Sequence, residues 1–516
     1  MTSLATWAVT LALLFVLEPV SRYIWDPKKL RRFPNHNALS GFTNLGYIIE
    51  RCRGFRSKNL HKKHESNLVV RTGPNSLSFS SPDAIRAIYG HSTTCVKGDM
   101  YAASAGPHVS LLDVVNKEDH ARKRRYMSHA LATRNLETWE FKVADKVGKL
   151  LLQFDRICEQ NGSSNSTTPA VVNFRKWTNL FTIEAIVDIA LSHKLGCLDR
   201  GDDYVKITTV DGKEKQVRYI ECLHGGKRAT STLVWSTRWF RLLRAVLTAV
   251  PGWFRFQWSM GSDFDAMVHH LTRVRAERHR NGEDLDDIIR CVIEDKDSQF
   301  RGLHNGEIEA EVSVLLDAGS DTTAIALTHV MYNLLCNPRA LDRLRKELDE
   351  SLQGDDPVAS YDQVKNLPYL RACLDESLRL LPPVSFGLNR KTGPAGITID
   401  GQWIPGGTTV AVPAYTAHRN PQLFPQPESY YPERWLEEMD KDAKASFIPF
   451  SAGARGCIGR NITYIEQMVF VASLVQRYDF ALPSADWQLD HEEAFNLWPR
   501  PMPLSIQKRP LSNEQG

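Results

Sequence analysis

One stretch, Glu307 to Cys336, constrains the fold of this chain more than any other. Apolar residues recur through it at helical spacing (Val312, Val314, Leu315, Leu316, Ile325, Leu327), and at 1.5 Å per residue such a helix runs about 45 Å, the width of a whole domain. A helix that long and that apolar is a central element. Asn337 and Pro338 then stand as N-cap and first-turn residue of the next helix. Helical periodicity also covers Lys117 to about Gln160 and Asn173 to Leu191, while Asn67 to Ser81 alternates around Gly73-Pro74 as a short hairpin and Asp211-Gly212 marks another. The expected fold is mainly α with small β-sheets. Nothing low in complexity, repeated or strongly charged divides residues 26–516, which read as one domain.

Composition removes whole classes. The 64 Lys+Arg against 60 Asp+Glu leave a net charge of only +4 over 516 residues, too little for a polybasic nucleic-acid binder. With 42% hydrophobic residues the chain is no disordered segment. Its nine cysteines are thinly spread with no Cys-x-x-Cys, which excludes a disulfide scaffold and leaves any one of them free to act as a ligand.

The amino terminus departs from this ordinary picture. Thr2 to Leu17 is uncharged and apolar, Tyr23 and Trp25 follow as interfacial residues, and Lys28, Lys29, Arg31 and Arg32 come directly after. No basic residue precedes the run and no small-x-small cleavage site follows it, so residues 1–25 read as a retained transmembrane anchor with the body on the cytosolic side. Between Trp235 and Trp258, aromatic residues interleave with Arg238, Arg241, Arg244 and Arg255. That pattern suits either a surface touching lipid headgroups or a buried amphipathic pair.

Three segments carry chemistry. In Phe450-Ser-Ala-Gly453-Ala-Arg455-Gly456-Cys457-Ile-Gly459 a cysteine sits among glycines, so the backbone can wrap close to the sulfur, and Arg455 offers a positive charge that favours thiolate. Phe-x-x-Gly-x-Arg-x-Cys arises by chance on the order of once in several hundred such chains. Ala318-Gly319-Ser320-Asp321-Thr322-Thr323 puts an acid and hydroxyls in the middle of the long apolar helix, where they are costly unless used. Glu376-x-x-Arg379 lies on an apolar helix upstream of Tyr431-Pro432-Glu433-Arg434-Trp435.

In order and spacing these segments resemble the cytochrome P-450 superfamily. The resemblance spans nearly the whole body and implies the cytochrome P-450 fold behind the N-terminal transmembrane helix, with haem as cofactor. It makes Cys457 the axial thiolate of the haem iron, a ligand that pushes electron density onto the metal and favours O–O cleavage. Phe450 then packs beside the sulfur and Arg455 pairs with a propionate. His120, standing where the family has Trp, together with Arg124 and Arg390, completes the propionate clamp, and His418-Arg419-Asn420-Pro421 falls where the family expects it. Gly319 opens space over the iron, Thr322 hydrogen-bonds dioxygen, and Asp321 relays protons from solvent. Glu376, Arg379 and Arg434 form a buried ion network, with Trp435 in place of the family's Phe.

The same resemblance implies a monooxygenase that inserts one oxygen atom from O2 into a small apolar organic substrate, fed by an NADPH-cytochrome P-450 reductase at the endoplasmic reticulum membrane. No flavin or dinucleotide fingerprint occurs in the chain itself. Asp83 to His91 and Arg122 to His129 look like the fungal branch that includes benzoate para-hydroxylases and tailoring enzymes of secondary metabolism. Oxidative ring closure, phenol coupling and aromatic acid para-hydroxylation are the alternative outcomes at such a centre. An isomerase, a dehydratase or a non-catalytic haem carrier has no use for the Asp321-Thr322 pair.

Overall fold

The long apolar stretch forms one helix of 32 residues, Asn305–Cys336, and the remaining elements are laid against it. The computed structural model describes residues 17, 19–52, 54–163, 169–294, 299–352 and 356–510. The helices that position the site are α1 (Arg56–His64), α2 (Lys117–Ala130), α3 (Phe174–Leu191), α4 (Tyr219–Leu233), α5 (Trp253–Arg280), α6 (Asn305–Cys336), α7 (Pro368–Leu380) and α8 (Arg460–Arg477). One apolar cluster draws residues from Leu111 through to Ile506. Helix α3 is buried at every position except Lys176, which a helix can be only where neighbours cover nearly all its faces.

Both expected hairpins form. Val69–Gly73 (β1) pairs antiparallel with Ser76–Phe79 (β2), and Tyr204–Thr208 pairs with Glu214–Arg218 around Asp211-Gly212. The first belongs to a five-stranded sheet with Val96–Lys97 (β3), Arg390–Lys391 (β4) and Thr409–Ala411 (β5), in the order β1-β2-β5-β4-β3. In its register Lys97 lies opposite Arg390. A second, three-stranded sheet joins Tyr478–Ala481, Pro503–Lys508 and Ala170–Asn173, tying the carboxyl-terminal segment to the start of α3.

Some local expectations change. Lys117 to Gln160 is helical as expected, in three helices broken near Leu131 and Trp139. Asn337 does occupy the N-cap position before Pro338, but its amide donates back to Asn333 O at 2.7 Å instead of capping the next helix. Gly319 does not open space over a cofactor. A Cβ there would come within 2.5 Å of Ile186 Cγ1, so the glycine lets α6 lie directly on α3. The anchor segment falls outside the described residues save Leu17 and residues 19–25, and among the described residues no helix is long and apolar enough to cross a membrane.

The aromatic and arginine-rich region divides between its two readings. Phe240 and Trp258 are buried, whereas Leu242, Val246, Val250, Trp253 and Phe256 stand exposed along Phe240–Ala249 and the start of α5. Replacing Gly319 by Val pushes α3 and α6 apart. Overpacking of this kind costs about 1–3 kcal/mol, to be read as a lowered Tm in thermal unfolding; an unchanged Tm removes the close approach as a constraint.

Candidate functional site

The cysteine loop is shaped by its own backbone. Cys457 N donates to Phe450 O at 2.8 Å and Gly456 N to Gly453 O at 3.0 Å, closing the turn. Gly453 sits at φ +66°, and a Cβ on it would fall on the carbonyl oxygen of Tyr89, so only glycine fits. Cys457 itself is accessible, yet burial raises its thiol pKa. The two facts agree if the sulfur looks into a recess within the body. Opposing that rise are the backbone N–H groups of Gly459 and Arg460, at the start of α8, and the charges of Arg124 and Arg460. These groups favour thiolate. Arg455 is not among them: its guanidinium turns away to Val114 O at 2.6 Å and Val115 O at 2.9 Å. Phe450 lies between Tyr464, 5.4 Å away ring to ring, and the Arg460 guanidinium.

Five basic side chains crowd together on the other side of this loop. Arg124 donates to Gly456 O at 2.8 Å, and Arg390 reaches Asn389 O over the face of Tyr89. Burial, reinforced by Arg455 and Arg390, pulls Lys97 down to about 7. Burial, then Arg455, Lys97, Arg124 and Arg390, pulls His120 down to about 4, so its imidazole is neutral at pH 7. Burial and Arg390 pull Arg455 down to about 10. Lys97 and Arg390 are also directly opposed across the sheet, which like charges disfavour. Such a cluster is short of negative charge. Two carboxylates lying between it and an accessible thiol would satisfy it, and haem presents two propionates. On that test the residues fit the group.

Asp321 and Thr322 part company although adjacent. Asp321 is fully buried. Its Oδ1 accepts from His224 Nε2 at 3.0 Å and Arg175 Nη2 at 3.3 Å; its Oδ2 accepts from Asn496 Nδ2 at 2.6 Å, Trp498 Nε1 at 2.7 Å and Lys227 Nζ at 3.4 Å. Burial alone would raise its pKa, but His224, Lys227 and Arg175 outweigh it and hold the carboxylate ionised. It therefore has no direct path to solvent in this arrangement, contrary to the simple relay expected. Thr322 is partly accessible, with its hydroxyl donating to Ala318 O at 2.8 Å.

Glu376 joins the two arginines named with it. Arg379 makes a two-pronged contact, Nε and Nη2 each at 2.9 Å, and Arg434 Nε lies 3.1 Å from both carboxylate oxygens. Trp435 Nε1 adds a fifth side-chain bond at 2.9 Å, one that the family's Phe could not make. His418 does not belong to the cation cluster. Burial and the Arg379 charge pull it down to about 3, and as a neutral ring it donates from Nδ1 to Arg379 O and accepts Ile448 N on Nε2. Through Ile448 it connects the ion network to the cysteine loop.

Sequence reasoning missed Lys97, Arg175, His224, Lys227, Asn496 and Trp498. The spacing of His224 and Lys227 on one face of α4 was a usable signal only once Asp321 was known to point inward. Nothing in the sequence pattern marked the others.

A mainly helical body with a glycine-bounded, accessible cysteine and an anion-deficient basic cluster defines a haem-thiolate protein. The family model described as cytochrome P450 matches residues 39–506, and the chain belongs to that family. It is 29% identical over 483 residues to the benzoate 4-monooxygenase bphA of Aspergillus niger, covering 91% of this chain and 92% of that protein. It is also 29% identical to the cytochrome P450 monooxygenase tpeC of Talaromyces stipitatus, over 98% of this chain and 95% of the other. With the tryprostatin B 6-hydroxylase of Aspergillus fumigatus it shares 28% identity over 95% and 82%. The chain is a haem-dependent monooxygenase that takes electrons from a redox partner and acts on an organic substrate.

Removing the Arg379 side chain strands the buried Glu376 charge, at about 3–5 kcal/mol. Arg379→Ala is expected as haem-free or insoluble protein, and normal haem content in that variant would count against the network. Because the Glu376 pKa is depressed by the arginines against the opposing effect of burial, its contribution is present above the ordinary carboxylate pKa near 4.3 and is lost as pH falls through the lower folded value.

Proposed function

We propose that residues 26–516 form one catalytic body in which Cys457 ligates haem iron as thiolate and the cluster of Lys97, His120, Arg124, Arg390 and Arg455 faces the propionates. The observation that carries this reading is the uncompensated positive charge beside an accessible thiol. When bound, the haem supplies the activation of dioxygen, and the thiolate supports it by donating electron density. The protein's own groups do the rest. The backbone N–H groups of Gly459 and Arg460 hold negative charge on the Cys457 sulfur. Arg124, bonded to Gly456 O, fixes the loop and contributes charge at once. Neutral His120 offers one N–H to a carboxylate, and the arginine forks suit propionate geometry better than lysine does.

In this reading Thr322 Oγ1 would hold the proton supplied to the reaction, and Asp321 would restore it. The ionised carboxylate carries no proton to give, so it would first loosen from Arg175 or Lys227 and take one up from water before passing it on, which makes delivery depend on a side-chain movement rather than on an open solvent path. One oxygen atom enters an apolar organic molecule of fungal secondary metabolism, and NADPH-cytochrome P-450 reductase supplies the electrons. A difference spectrum of the reduced protein with carbon monoxide tests the thiolate, and a spectrum without the thiolate band overturns the reading. Thr322→Ala is expected to oxidise NADPH but release mainly peroxide; product formation coupled as tightly as in the unaltered enzyme removes Thr322 from this role.

The location proposed is the endoplasmic reticulum membrane, with a single N-terminal span and the catalytic body in the cytosol. The uncharged Thr2 to Leu17 run supports the span, and a second apolar surface supports lipid contact by the body: Leu242, Val246, Val250, Trp253 and Phe256 are all exposed. A protein lacking residues 1–25 is expected to sediment partly with phospholipid vesicles; one that stays wholly in the supernatant removes the second surface.

A further inference from the structure

Asp321 is ionised, fully buried and bonded to five donors: His224, Arg175, Asn496, Trp498 and Lys227. To pass a proton on it must first receive one, and with those five bonds in place the proton has to come from a group that touches it. Four of the donors do not give theirs up. The Arg175 guanidinium stays charged at any pH a protein meets. The Asn496 amide and the Trp498 indole donate hydrogen bonds without ionising. Lys227 lies between Asp317 and Asp321, and against the effect of burial the two carboxylates raise its pKa above the ordinary lysine value, so its ammonium holds its protons the more tightly.

His224, on α4, is different. Its Nε2 stands 3.0 Å from Asp321 Oδ1. Burial, with Arg175 and Lys227 adding to it, outweighs the pull of Asp321 and holds the ring below the ordinary histidine pKa, so at pH 7 it is neutral and carries one N–H. A carboxylate oxygen only accepts, which puts that N–H on Nε2 and leaves Nδ1 with its lone pair. Nδ1 has no hydrogen-bond partner among the described residues, yet it is not one of the buried polar atoms closed off from water. The ring is kept in plane by Trp498, on which it stacks at 4.0 Å between centroids and 22° between planes, and Trp498 itself donates to Asp321 Oδ2 at 2.7 Å. The charged groups around the ring are Asp321 and Asp317 from α6, Lys227 from its own helix and Arg175 from α3; the hairpin of His491–Glu493 and Leu497–Pro499 brings the uncharged Trp498.

We propose that His224 is the proton intake of this site: Nδ1 takes a proton from water as Nε2 releases its own to Asp321 Oδ1. On the ring one N–H bond forms and one breaks, on the carboxylate an O–H bond forms, and no electron is gained or lost. The ring, left with its hydrogen on Nδ1, returns to its first tautomer through water, which removes that proton and supplies one to Nε2. Arg175 and Lys227 keep their hold on the carboxylate throughout. Because His224 acts through Asp321 it is a positioning residue, and the inference rests on the reading of Asp321 as the acid that restores Thr322. The rival is uptake from water directly by a loosened Asp321, with His224 no more than a hydrogen-bond donor that steadies the carboxylate.

His224→Gln separates the two, since glutamine can donate to Asp321 but cannot relay. The haem-loaded protein is run with NADPH-cytochrome P-450 reductase and no added substrate, and NADPH and dioxygen consumption are measured together: dioxygen reduced to water takes two NADPH, dioxygen released as peroxide takes one. Water formation is expected to fall at least about tenfold in both His224→Gln and His224→Phe. Water formation as in the unaltered protein in His224→Gln, whatever His224→Phe does, is the pattern of a mere donor and overturns the proposal. A second readout is independent of turnover. In the ferrous carbon monoxide complex with isotopically labelled histidine nitrogens, the NMR signals lost in either variant should be those of a neutral Nε2–H ring; a ring protonated on both nitrogens is a fixed salt bridge and also overturns it. So do variants that both fail to load haem, because the ring is then a structural one. Asp321→Asn guards the underlying reading: unchanged water formation there refutes Asp321 as the acid, whereas loss there with none in His224→Gln refutes His224 alone.

Discussion

Everything near the cysteine hangs on the carboxylate of Glu376. It lies at zero exposure between two arginines, and a charge so placed is tolerable only when every lone pair is used. Arg379, Arg434, Trp435 and the Tyr431 amide use them. Arg379 in turn spreads its remaining donors over the carbonyls of His418, Pro427 and Ser429, so one ion pair pins a long irregular segment that has little regular structure of its own. His418 passes that constraint to Ile448, and Ile448 O receives Ser451 N at the entry to the cysteine loop. The position of the sulfur is thus fixed from a buried salt bridge outward.

Two electrostatic arrangements on either side of the long helix have opposite character. Around Asp321 one carboxylate is surrounded by more donors than it needs, and the surplus keeps it ionised. Around Arg455 several cations face one another with too little negative charge, and burial, with their mutual repulsion added to it, lowers Lys97 and His120. The first arrangement is complete within the protein, whereas the second asks for an anion from outside. That contrast separates a buried charge already satisfied from a surface with charge to spare.

The long helix, both hairpins and the two halves of the ion network were legible in the sequence, because apolar period, turn residues and motif order are local signals. Contacts that depend on where distant segments meet were not. Arg455 was credited with the thiolate because it is two residues from Cys457, but the chain turns between them and sends the guanidinium to Val114. His418 was placed only by family position, without a role, and its contacts with Arg379 tie it to the ion network. Gly319 illustrates the same limit, since a missing Cβ leaves room on one face only and the sequence does not say which. The Trp for Phe exchange at Trp435 looked like a neutral departure, yet the indole N–H gives the carboxylate an added bond.

The close approach of Gly453 to the Tyr89 carbonyl bears on how the protein matures. That contact locks the turn before the cysteine onto the helix Pro82–Tyr89, whose Tyr89 hydroxyl is itself bonded to the backbone of the sheet region through Val412. The loop is therefore held by protein on both sides, from Ile448 behind and Tyr89 in front, independently of any bound group. Little chain entropy remains to be lost there when a rigid planar guest arrives. A group docking there meets a set frame rather than a loop that must order around it.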